Sequence, residues 1–163
     1  MSTPPTPNVA RISLTRILRA DPAALCALLD DPSWLGRDVG AAPGRPDLRR
    51  VETDLAFGLG DGRGTVTFRK GALVDIGRGD GGSGATCIGE VDWRAATFAP
   101  LFPVFSGTLE VRDGGLVLDG VYAPPGGGVG LLVDRAILHH VAERTGIWFL
   151  DRVIDELAAR SAA

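Results

Sequence analysis

The chain has 163 residues, 45% of them hydrophobic and 23% charged, with a formal net charge of −3. That hydrophobicity and weak net charge exclude a disordered chain, and the acidic balance argues against a nucleic-acid partner, which a basic patch would mark. Glycine stands out at 23 residues, about twice the ~7% usage of ordinary proteins, but it shows no period of three, so collagen is excluded as well.

Residues 1–8 hold three prolines and little to bury. They are expected to be a disordered tail ahead of a single domain spanning 9–160. The start has no basic region followed by an apolar one, so no secretory signal is read there. No apolar run approaches the ~18 residues of a membrane span, and a cytoplasmic location is the resulting expectation. Lys70 is the sole lysine among 17 basic residues, an arginine bias of the kind that GC-rich bacterial genomes produce.

From Val9 to Leu18, Ala10, Ile12 and Leu14 alternate with Arg11, Ser13 and Thr15, the pattern of a half-buried strand. Asp21-Pro22 opens a helix, with Asp as the cap and Pro in the first turn. Ala24, Leu25, Leu28 and Leu29 form its apolar stripe. Asp31-Pro32 repeats the device for a one-turn helix around Trp34 and Leu35. Gly40–Pro46 reads as a loop. Arg49–Phe57 alternates as a strand, and Gly58–Gly64 is a hairpin turn with Asp61-Gly62 at its tip. Thr65–Lys70 returns, Gly71 breaks the pattern, and Ala72–Ile76 continues as a further strand. Gly77–Gly84 is a second glycine loop. Strands over Ala85–Arg94, Val104–Arg112 and Leu116–Tyr122 follow, with the irregular apolar stretch Ala95–Pro103 between the first two. Short turns throughout imply an antiparallel meander. From about Val129 to Ala159 one long helix is expected, with Leu131, Arg135, Leu138, Ala142, Phe149, Val153 and Leu157 at helical spacing. Cys26 and Cys87 read as small buried hydrophobes, and a domain of this size needs no disulfide.

The order is strand, two short helices, six or so strands and a long C-terminal helix. With the stretches Asp21–Leu29, Leu101–Val111 and Gly120–Gly126 leading into Asp134-Arg135, it resembles the SRPBCC superfamily, which includes START domains, pollen-allergen-type proteins and polyketide cyclases. The resemblance covers about residues 9 to 160, and its last part looks like uncharacterised bacterial members. It implies an α+β helix-grip fold, a curved antiparallel sheet of about six to seven strands wrapped around the C-terminal helix. It also implies an apolar cavity between sheet and helix.

The residues agree on one point. A sheet closed by one helix fills its mouth only with large side chains. Strand parity turns Phe68, Trp93, Phe105 and Tyr122 toward the helix, with Tyr122 as a polar anchor. Phe57 and Phe102 on the sheet side join them, and Arg135, Leu138, His139 and Ala142 line the helix side. Taken singly, each is also explained as plain core. His139 and His140 lie about 100° apart on a helix, too far to share a metal. His139 sits at the pocket edge, and His140 faces outward. Arg16 has inward parity near a strand end, whereas Glu52, Asp54 and Arg69 are nominally outward. Gly79–Gly84 matches G-x-G-x-x-G in form but precedes a strand, so no helix N-terminus is there to hold a phosphate. No cofactor or metal is implied, and no catalytic residue is assigned.

Three functions compete. The first is a cytoplasmic protein that binds a small apolar molecule, lipid-like or polyketide-like. The second is a polyketide cyclase or dehydratase using the same cavity. The third is a non-catalytic interaction module with an apolar patch around Leu101–Val104. The oligomeric state is not legible. One fold hosts many functions, so the site must separate them.

Overall fold

The structure is a computed structural model that describes residues 9–59, 66–80, 86–97, 103–123 and 135–163, with the side chains of 56–59, 66–68 and 135–138 left aside. In chain order it comprises β1 (Ala10–Ile17), α1 (Pro22–Asp30), a 3-10 turn (Pro32–Trp34), β2 (Arg37–Ala42), β3 (Arg45–Leu59), β4 (Val66–Arg78), β5 (Ile88–Ala95), β6 (Val104–Arg112), β7 (Gly115–Ala123) and α2 (Arg135–Ser161). The strands form one antiparallel sheet in the order β1-β7-β6-β5-β4-β3-β2. The meander therefore runs inward from β2 to β7, and β1 adds to β7 at the far edge. The sheet curves around α2, which packs against β3, β1 and β7, while α1 packs against β4, β5 and β6. This is the helix-grip arrangement, with seven strands. No helix among the described residues is long and apolar enough to cross a membrane.

Local chemistry explains the helix starts. The Asp21 carboxylate accepts a hydrogen bond from the backbone N–H of Ala23 at 3.0 Å, and Pro22 occupies the first turn, so α1 begins where an orphan amide is capped. Asp31 does the same for Ser33 at 3.3 Å. Leu25, Leu28 and Leu29 of α1 are fully buried against the sheet. The Trp34 indole donates to the Leu28 carbonyl at 3.1 Å, which folds the 3-10 turn back onto α1.

Three expectations are corrected. The expected loop at Gly40–Pro46 is a β-hairpin, in which Ala42 pairs with Arg45 across Pro43-Gly44, and Gly44 supplies the positive φ of +74° that the tight turn requires. As an exposed edge strand β2 has little to bury, so it lacks the apolar alternation that marks an inner strand. Gly71 does not divide two strands: β4 runs unbroken from Val66 to Arg78, and its ladder with β3 continues through Gly71, which pairs with Asp54. Finally, Cys26 and Cys87 form a disulfide with a Cα–Cα distance of 5.7 Å. The pairing joins α1 to the entrance of β5, a juxtaposition that sequence separation hides.

The expected N-terminal tail, the two glycine hairpin loops and the first turn of the expected long helix fall mainly on residues outside the described ones. Within them, inner-face glycines serve as seats for neighbouring side chains. Gly107 and Gly120 pair across β6 and β7, and a Cβ on either would lie 2.6–2.7 Å from Cζ of Phe105. The Phe105 ring thus lies over two glycines, the arrangement by which an aromatic covers glycine in a sheet. Leu29 of α1 occupies the equivalent space over Gly89, and Leu14 of β1 the space over Gly146 of α2.

Candidate functional site

Register lines up one row of residues across the sheet. Ala10 pairs with Tyr122, Tyr122 with Phe105, Phe105 with Trp93, Trp93 with Val74, and Val74 with Val51. All six follow the parity of the helix-facing side. The middle of this row is an aromatic strip. Trp93 and Phe105 stack with centroids 4.0 Å apart and planes 18° apart. Phe149 of α2 meets Trp93 at 5.5 Å and Trp34 at 6.4 Å. At this point the space between sheet and helix is filled by side chains, since Phe149 is 0% exposed and Phe105 2%.

The strip changes character at its β7 end. Tyr122 is buried, yet its hydroxyl lies 3.0 Å from Nδ1 of His139 on α2. The rings tilt at 43° with centroids 5.9 Å apart. His139 itself is exposed, so the pair forms a polar end to an aromatic wall that reaches from the interior to water. Either Tyr122 donates to a neutral Nδ1 or a protonated Nδ1 donates to the phenol oxygen. Ala142 lies one turn further along α2 and is buried.

Of the residues expected at the site, the structure therefore brings together Trp93, Phe105, Tyr122, His139 and Ala142. Phe57 and Phe68 are directly paired across β3 and β4. Their side chains, with those of Arg135 and Leu138, lie outside the described ones, as does Phe102 altogether. Arg16 does not enter the interior: it forms an exposed ion pair with Asp151 of α2 at 3.1 Å. Arg69 and Asp54 are exposed, and Glu52 pairs with Arg37 on the outer face. The apolar patch expected at Leu101–Val104 has one described apolar member at its end, Val104, which is 43% exposed.

The adjacent histidines differ from expectation. Helical geometry turns His140 outward, but its Nε2 is buried without a hydrogen-bond partner among the described residues, while His139 is the exposed member of the pair. Sequence reasoning also missed Phe149 as the residue that closes the centre of the interior. Its place in the apolar stripe was legible, but its contact with Trp93 required the fold. On the outer face of the sheet an open depression of about 420 Å3 is bordered by Glu90, Asp92, Ser106 and Thr108. None of its described lining residues is aromatic.

No protein-family model matches the chain, and no curated protein matches it. Among solved structures, the crystal structure of Ara h 8.0201 is similar, with a TM-score of 0.51 over 93% of this chain and 99% of that one. The two sequences are 16% identical. The likeness therefore concerns the fold alone, and it extends over most of both chains.

Proposed function

We propose that the chain binds a small, largely apolar molecule, lipid-like or polyketide-like, between the sheet and α2 at the end where Tyr122 meets His139. One observation carries the reading: a buried aromatic strip ends in a tyrosine–histidine hydrogen bond that reaches water. An apolar wall with few, placed polar groups is the composition of a small-molecule site. Phe149 fills the centre, so the bound molecule lies on the β7 side of it, against Phe105 and Tyr122. Phe57, Phe68, Arg135 and Leu138 are assigned to the same site by their places on the strands and helix, and Phe102 by the apolar character of the stretch before β6. The fold likeness to Ara h 8.0201 is compatible with this reading.

Native mass spectrometry of the purified protein, alone and with fatty acids and sterols added, tests the proposal. The expected result is a co-purified or added apolar molecule bound one to one. Replacing Tyr122 with Phe should weaken a ligand carrying a polar end by roughly 2- to 12-fold, the worth of one hydrogen bond. Failure of the wild-type protein to take up any apolar probe would overturn the reading.

The Tyr122–His139 hydrogen bond also favours a second reading, a cyclase or dehydratase that moves a proton through this pair. The His139→Ala variant separates the two. A binder keeps most of its affinity for an apolar probe, whereas an enzyme loses turnover while still binding.

A further inference from the structure

The Cys26–Cys87 disulfide lies away from the aromatic strip and bears on where the protein works. We infer that it is a permanent structural staple that holds α1 against the sheet, and that the chain works in an oxidising compartment rather than the reducing cytoplasm.

Three observations support this. The two cysteines are 61 residues apart and belong to different elements, yet their Cα atoms lie 5.7 Å apart. That separation is in the centre of the range that a disulfide spans. All of β2, β3 and β4 lie within the loop that the bond closes, so the cross-link restricts a large part of the unfolded chain. Third, the bond is covered at its sheet end. Cys87 is 5% exposed, Cys26 is partly buried, and Leu25, Leu28 and Leu29 around it on α1 are 0–1% exposed. Leu29 also occupies the space over Gly89, two residues beyond Cys87. Attack at the buried Cys87 sulfur requires α1 to lift from the sheet, which exposes that whole apolar stripe. A switch needs an accessible, easily opened bond; this one has the placement of a staple. Disulfides of this kind persist in oxidising compartments and are rare in the cytosol. Formation removes two protons and two electrons from the two thiols and passes them to a disulfide oxidant, whose own S–S bond becomes two thiols.

The test uses the whole chain. Protein isolated from the cells that make it is denatured with iodoacetamide and no reductant, then weighed intact. The expected result is no alkylated cysteine, and two after prior reduction. Two alkylated cysteines without reductant would overturn the inference. In parallel, thermal unfolding with and without dithiothreitol should show Tm lower by roughly 10 °C in the reduced protein. A Tm unaffected by reductant, with reduction verified by mass, would also overturn it. The double variant Cys26→Ser with Cys87→Ser should reproduce the reduced Tm and be insensitive to reductant. Where that variant does not fold, the wild-type comparison carries the test. Neither measurement involves ligand, so the result stands apart from that of the binding experiment.

Discussion

At the scale of single residues, the glycines of the inner face separate into two kinds. An added methyl at Gly107 would overlap the backbone oxygen of Asp119 and lie 2.7 Å from Cζ of Phe105. Backbone cannot yield cheaply within a paired strand, so Gly107→Ala is expected to cost at least ~2 kcal/mol. At Gly146 the nearest atom is Leu14 Cδ1, the far end of a flexible side chain, at 2.5 Å. There the alanine gains about 1 kcal/mol of helix propensity, and Leu14 can rotate away. Gly146→Ala should therefore change stability by no more than about 1 kcal/mol. Urea unfolding of both variants checks the contrast. The same reasoning applies to Tyr122. Its ring packs beside Phe105 and its hydroxyl serves His139, so Tyr122→Phe should alter ligand affinity more than stability, with a stability change near 1 kcal/mol.

At the scale of elements, β2 is held by charge and α1 by apolar burial and a covalent bond. Arg49 grips Asp38 at 2.9 and 3.0 Å, and the Gly40 N–H donates to the same carboxylate at 2.8 Å. Chiefly the Gly40 hydrogen bond, and then Arg49, holds the Asp38 carboxyl below its ordinary range. Asp38 thus binds its proton more weakly in the folded chain than in the unfolded one. Its stabilisation is fully present above the ordinary carboxylate range and is lost as pH falls through the lower folded value. Asp38→Asn is therefore expected to destabilise the hairpin at neutral pH, and the gap between variant and wild type should narrow as pH falls below the ordinary carboxylate range. Hydrogen exchange at Gly40 reports it. On α1, the cross-link is worth roughly 2–4 kcal/mol in chain-entropy terms. The partly buried Arg50–Asp75 pair at 2.7 Å ties β3 to β4 on the outer face, directly across the strands. It lies away from the proposed site and has a structural role.

At the scale of the whole molecule, Phe149 connects the layers. It is fully buried and meets both Trp93 of the sheet and Trp34 of the 3-10 turn. Phe149→Ala should cost about 3–5 kcal/mol. If the fold survives, the variant should also bind apolar probes more readily than the wild type, because the removed ring opens the centre of the interior to the β7 end. Denaturant unfolding and probe titration read the two effects.

Much of this was legible in the sequence. Alternation marked β1 and the inner strands, with β4 in two pieces, Asp-Pro pairs marked the starts of α1 and the 3-10 turn, and a stretch nearly free of glycine marked α2. Parity placed Trp93, Phe105 and Tyr122 on one face, because side chains on a strand alternate whatever the rest of the fold does. The edge hairpin was not legible, since an exposed strand carries no apolar pattern. The unbroken β4 was misread because a glycine in a strand gives no sign of whether pairing continues past it.

Other features depend on contacts between distant residues, and no local pattern contains those. The Tyr122–His139 hydrogen bond needs a strand end and a helix to converge. The filled centre needs Phe149 to descend on Trp93. The disulfide needs α1 to fold back over β5. The sequence by itself determined the elements and their faces, because periodicity and capping act within a few residues. Only the tertiary structure decided which aromatic faces were closed, which polar group reached water and that the two cysteines met.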